Sequence, residues 1–455
     1  MMIPFDTLPA TAEALRQQFG LPGLSVAITL GREIIFEQAF GIADLETQAP
    51  LTTEAILPIG SITKTFIATL LMQLVEQGVV SLADPLRCYI PEYPHSATTL
   101  RQLAAHTSGL PRDAAVNYPM NYTIGAWPAS AGQIPLEWYA PTDVLLASLP
   151  TIELETPPDS GKVYSNLGIC LLAIALERAA GQPIQHLLAE RIFAPLGMTS
   201  SELVFSHRQL SPALAGRLPP GYVFTEQGCL PAPSWELGCA GYTGGICCTV
   251  GDLGRYLAFH LSPQPSDRVL TPASVRRMRP AHSSGDAFLG WWKGWHAGRE
   301  NFGHDGGHVG YLAAALGIPD LQLGVVTMVN RFNPARFENH GTEIARKLLE
   351  ILAPQVAALP QKQFDPAALD LHSYEGIYTL AGGMTPLKVE SAPERLTLSW
   401  LDRPYPSETY LPIGPDQFSP ETLPIPIPLL TFTRNEQDAV TKLSHALFTF
   451  TKTTP

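Results

Sequence analysis

Two segments, residues 66–77 and 168–180, are apolar nearly all the way round. A helix without a polar face must be enclosed by protein, so the chain has to build layers around both. Strand patterns accompany them. Residues 24–30 run to a turn at Gly31-Arg32 and return over 33–40, and two buried runs, 312–316 and 323–329, flank Pro319-Asp320. An amphipathic helix over 10–19 enters through Gly20-Leu21-Pro22-Gly23, and a short helix over 100–105 stops at Gly109 and Pro111. Gly244-Gly245 precede a Thr249 N-cap with Asp252 at the third helical position. Outer strands with inner helices predict an α/β (α+β) fold, an antiparallel sheet flanked by helices with an all-helical subdomain.

The 455 residues allow two or three compact units at roughly 150 residues each. Around Ala353-Pro354 the composition shifts to Pro, Gln and Ala, and beyond it seven short alternating runs follow: 374–380, 387–391, 395–401, 408–411, 429–434, 439–443 and 447–451. The expected division is a first domain over 1–355, a linker over 356–366 and a small antiparallel barrel or sandwich over 367–455. Residues 113–141 have little periodicity but carry Tyr118, Tyr122, Trp127, Trp138 and Tyr139, which reads either as a functional loop or as a packed surface loop.

Twenty-nine basic against 41 acidic residues give a net charge of −12, which opposes nucleic acid and anionic membranes as partners. The six cysteines have no Cys-x-x-Cys spacing and read as buried free thiols, so neither a metal nor another cofactor is expected. The first residues show no secretory pattern and no apolar run reaches ~18 residues, so the expected setting is the cytoplasm, with no membrane span. The partner left is a small-molecule or peptide substrate; the oligomeric state stays open.

Three short elements carry chemistry. Ser61 stands one helical turn ahead of Lys64 where the first apolar helix begins, so the amine reaches the hydroxyl. Burial and the helix dipole should lower the Lys64 pKa and make Ser61 a candidate nucleophile. Tyr164 and Asn166 lie two apart before the second apolar helix, where an extended loop points both at one cavity, the phenol as a proton relay and the amide toward a substrate carbonyl. Finally, Gly303-His304-Asp305-Gly306-Gly307-His308 opens into a strand, with glycines that let backbone amides approach a ligand. His304 reads as a proton donor or a substrate hydrogen-bonding group, and His308 equally as an exposed turn residue.

Together these elements resemble the Ser-x-x-Lys, Tyr-x-Asn and His-x-Gly motifs of the serine β-lactamase and penicillin-binding protein superfamily, in its class C branch with D-aminopeptidases, D-Ala-D-Ala carboxypeptidases and family VIII esterases. Leu21-Pro22-Gly23, Leu82-Ala83-Asp84-Pro85, His106-Thr107-Ser108-Gly109-Leu110, Pro195-Leu196-Gly197-Met198 and Gly244-Gly245-Ile246 fall in the family's order, over roughly residues 10–350. The tail from Tyr374-Glu375-Gly376 is similar to the lipocalin-like domain of many members.

The resemblance implies that Ser61 attacks a carbonyl while Lys64 and Tyr164 share the acid and base work, with the oxyanion held by the backbone amides of Ser61 and Gly307, beside Gly306. His304 stands where relatives keep a lysine, which counts against efficient β-lactam recognition. The implied activity is acyl transfer to water from an ester or from an amide next to a D-residue. Alternatives are a stand-alone thioesterase that cyclises nonribosomal peptides, and a catalytically silent scaffold.

Overall fold

Every residue of the strand Gly23–Leu30 (β1) is buried except the last, because both of its faces are covered by helices. The chain reaches it through the helix Leu8–Gln18 (α1) and leaves it through Glu33–Asp44 (β2) and the short Ala49–Pro50 (β3). Later segments complete the sheet: Trp292–His296 (β4), Arg299–His308 (β5), Tyr311–Ile318 (β6) and Leu323–Val329 (β7). The order is β3-β2-β1-β7-β6-β5-β4, antiparallel throughout, so β4 is an edge strand. The computed structural model describes residues 7–114, 140–225, 228–232, 236–263, 268–279, 288–296, 298–332, 339–357, 369–379, 386–401, 407–414, 416–420, 430–435, 437–445 and 448–453. The aromatic run from Tyr118 to Tyr139 and most of the expected linker lie outside them.

Side chains alternate across β1. Leu24, Val26 and Ile28 join α1 and the helix His340–Val356, whereas Ala27 faces the larger core of the helical side. That core holds the two apolar helices, Thr63–Glu76 (α2) and Asn166–Ala180 (α3), with Val250–Leu261 (α4) laid between them and the sheet. Helix α2 is buried from Thr63 through Leu74. At roughly 1.5–3 kcal/mol for each large apolar side chain taken from water, its packing outweighs any helix propensity. The expected cap at α4 is present, with the Thr249 side chain accepting from the Asp252 N–H. The helix His340–Val356, call it α5, runs through Pro354 into its last turn and packs Ile344, Leu348 and Leu352 on the sheet.

The tail forms a closed antiparallel barrel of eight strands where seven runs were read. They are Gly376–Thr379 (β8), Leu387–Ala392 (β9), Arg395–Trp400 (β10), Glu408–Gly414 (β11), Gln417–Pro420 (β12), Leu430–Arg434 (β13), Val440–His445 (β14) and Phe448–Thr453 (β15), with β15 paired to β8. The additional strand is β12. Tyr374, Tyr378, Tyr410, Phe418, Phe432 and Phe450 fill the interior. Strand β11 packs near β4, and Lys442 on β14 donates to the Ser160 carbonyl at 2.8 Å.

All six cysteines are free; Cys88 is exposed and Cys229 half-buried, whereas the other four are buried as expected. Among the described residues no group of His, Cys, Asp and Glu is arranged to hold a metal, and no single helix is long and apolar enough to cross a membrane.

Candidate active site

Ser61 sits in the 3-10 turn Gly60–Ile62 that feeds α2, where the glycine strand β5 presses on the turn backbone. The contact leaves no room for side chains. A Cβ at Gly306 would stand 1.8 Å from the Ile59 carbonyl oxygen and 3.0 Å from the Ser61 nitrogen, and one at Gly60 would stand 2.5 Å from the Gly307 oxygen. Gly60 also has a φ of +51°, a region that favours glycine. These constraints bring the Ser61 and Gly307 backbones together at the place named for the oxyanion pair, and Gly307 is exposed there.

Lys64 Nζ and the Tyr164 hydroxyl each lie 2.8 Å from Ser61 Oγ. Lys64 is 1% exposed and also donates to the Thr243 carbonyl at 3.1 Å. Burial lowers its pKa to about 7, although Asp113 and Asp305 favour the charged form. Tyr164 moves the other way: burial raises its phenol, and the bond to Ser61 only partly offsets this. Lys64 therefore holds the available lone pair near neutrality, and Tyr164 holds a proton.

The segment 106–113 positions Tyr164. The Val163 N–H donates to the His106 carbonyl at 2.9 Å, the Ser165 N–H to His106 Nδ1 at 3.1 Å, and Ser165 Oγ to the Pro111 carbonyl at 2.6 Å. His106 itself takes a left-handed φ of +59°, strained for a non-glycine residue. Ser165, the N-cap of α3, is still extended at φ −130° and ψ 111°, so the expected extended loop ends there, and Asn166 is the first residue of the helix. Its amide donates to Asp113 Oδ1 at 2.9 Å, and Asp113 also pairs with Arg112 at 3.2 Å. One amide hydrogen of Asn166 is thus engaged by protein.

His304 is 3% exposed, with Nδ1 2.6 Å from the Asp305 carbonyl oxygen. Burial, reinforced by the Lys64 charge, lowers its pKa to about 3, so it is a neutral imidazole and supplies no fixed cation. His308, one reading of which was an exposed turn, is buried within β5. Asp305 is raised by burial to about 6 and accepts from Asn339 at 3.3 Å.

Local pattern singles out none of Asp113, Lys162, Trp292 or the role of His106, because only the tertiary fold brings them to Tyr164. Trp292 on β4 stacks at 5.7 Å from the Tyr164 ring, and Lys162 Nζ stands 3.8 Å over the Trp292 ring. Burial brings Lys162 to about 7 as well.

The sequence profile described as Beta-lactamase matches residues 8–350. The chain belongs to the beta-lactamase family. A curated member, the D-alanyl-D-alanine-carboxypeptidase/endopeptidase AmpH of Escherichia coli K12, is 28% identical over 379 residues, covering 78% of this chain and 91% of its own length. The octameric penicillin-binding protein homologue of Pyrococcus abyssi superposes with a TM-score of 0.64 at 22% identity, covering 99% of this chain and 100% of that one. A class C beta-lactamase superposes at 0.61 with 19% identity, over 78% of this chain and 97% of its own. This family member is a serine hydrolase of the class C β-lactamase-like type.

Proposed function

We propose that this serine hydrolase cleaves an ester, or an amide next to a D-residue, through an acyl-enzyme on Ser61. The observation that carries the reading is Ser61 Oγ held 2.8 Å from both a lysine poised near neutrality and a protonated tyrosine. Lys64 takes the Ser61 proton as Oγ attacks the carbonyl carbon, and the backbone N–H groups of Ser61 and Gly307 hold the oxyanion. When the tetrahedral species collapses, the Tyr164 hydroxyl gives its proton to the leaving group and is reprotonated from Lys64. Water then enters, gives its proton back along the same path and releases the acid.

The D-residue preference is supported by the name of AmpH, a D-alanyl-D-alanine carboxypeptidase. The neutral His304 argues for weak β-lactam turnover, since a β-lactam carboxylate finds no fixed cation there. A scaffold has no need of a lysine buried beside a serine at a cost in stability. Replacing water by an internal amine would make the same acyl-enzyme a cyclase.

Intact-protein mass spectrometry after fluorophosphonate treatment tests the nucleophile. One adduct is expected on the wild type and none on Ser61→Ala. An adduct that persists in the variant overturns the reading. Matched D- and L-alanyl ester substrates, with and without an added amine, then separate stereochemistry and transfer from plain hydrolysis.

A further inference from the structure

Three polar atoms in the ring cluster around Tyr164 are buried without a hydrogen-bond partner: His106 Nε2, Trp292 Nε1 and His304 Nε2. The rings are contiguous, His106 to Trp292 at 6.2 Å between centroids and Trp292 to His304 at 5.5 Å. Backbone contacts decide what each atom offers. His106 Nδ1 accepts from the Ser165 N–H, so its neutral ring carries the proton on Nε2 and presents a donor. His304 Nδ1 lies 2.6 Å from a carbonyl oxygen and must itself be the donor there, so Nε2 presents a lone pair. Trp292 Nε1 is a donor only. The cluster thus holds two unmet donors and one unmet acceptor in its interior.

We propose that this cluster is an amide subsite: it takes a peptide-type amide of the acyl substrate, whose C=O accepts from Trp292 or His106 and whose N–H donates to His304 Nε2. Other groups fit less well. A carboxylate would set its oxygens against the His304 lone pair, an ammonium would face Lys64 and Lys162, both close enough to act on His304, and an alkyl chain would leave all three atoms unmet. Trp292 is the ring of the three that is only half-buried; it stands on the edge strand β4, near which barrel strand β11 packs, so the proposed entry is past its indole. The subsite rests on the acyl-serine reading and narrows it from esters in general to peptidyl substrates.

Phenylboronic acids, which add reversibly to a serine oxygen, test it without requiring turnover. A series carries an N-methylcarboxamide, a methyl ester or a carboxylate at the ortho, meta or para position. At one position the amide is expected to bind the wild type about tenfold or more tighter than the ester, since the ester lacks only the N–H. His304→Ala should erase that difference, and His304→Lys should shift preference to the carboxylate. Equal binding of amide and ester at every position, or a preference that survives His304→Ala, overturns the subsite. If the fluorophosphonate still labels Ser61, that result sinks the subsite alone; if neither probe attaches, the acyl-serine reading fails with it. Nitrogen-15 NMR of the wild type gives a check free of variants: His304 should be neutral with its proton on Nδ1, and a proton on Nε2 at pH 7 would contradict the assignment.

Discussion

The sheet body and the C-terminal barrel handle buried polarity in opposite ways. Inside the barrel the tyrosines are matched: Tyr374 donates to Asp416 at 2.8 Å, Tyr378 to the Tyr374 carbonyl at 2.6 Å, and Tyr410 to Glu408. Among the described residues, every buried side-chain atom left without a partner belongs to the body. Three of these atoms surround Tyr164, and the buried amine of Lys64 sits beside it. Unmet polarity of this kind destabilises a fold by about 1–3 kcal/mol per group. The body therefore trades stability for chemistry, whereas the described barrel interior is filled by apolar side chains and hydrogen-bonded tyrosines.

The sharpest break of this contrast is Lys64→Met. Acylation should fall by roughly 10²–10⁴-fold, as expected when a general base is lost, and in the wild type the rate should climb with pH through about 7 as the Lys64 proton leaves. Stability should move oppositely. The folded pKa of about 7 lies below the ordinary 10.5, so between those values the unfolded chain binds the extra proton and the wild type gains stability as pH rises. Urea unfolding should therefore show Lys64→Met more stable than the wild type at pH 6, with that advantage shrinking toward pH 10. A flat difference would mean that Lys64 is not desolvated.

Gly306→Ala should come next, at roughly 10²-fold in acylation rate, because a Cβ 1.8 Å from the Ile59 oxygen forces β5 off the Ser61 turn and misplaces the Gly307 amide. Normal acylation in that variant would remove Gly307 from the oxyanion pair. The smallest effect belongs to the barrel. Tyr378→Phe should lower stability by about 1 kcal/mol in denaturant titration and leave the rate of Ser61 labelling unchanged.

Elements with a local signature were legible in sequence: Ser61 and Lys64 through one helical turn, the Thr249 cap, and the hairpin of β1 with β2. What escaped depends on distance along the chain. Trp292 meets Tyr164 only because β4 joins the far edge of the sheet, and the grip of Asp113 on Asn166 spans 53 residues. Helix α5 carries a helical period in Ile344, Leu348 and Leu352, yet Pro354 imitates a break that packing overrides. Strand β12, four residues ending in Pro420, is too short to alternate visibly and exists because both neighbours pair with it.

The bond from Lys442 to Ser160 ties the second-last strand of the barrel to the segment that presents Lys162 and Tyr164. Synthesis runs from the other end, so this tie closes only after Lys442, 282 residues beyond Ser160, has left the ribosome. A nascent or clipped chain that stops short of Lys442 lacks this one tie at Ser160, while the hold of residues 106–113 on the segment around Tyr164 can already form.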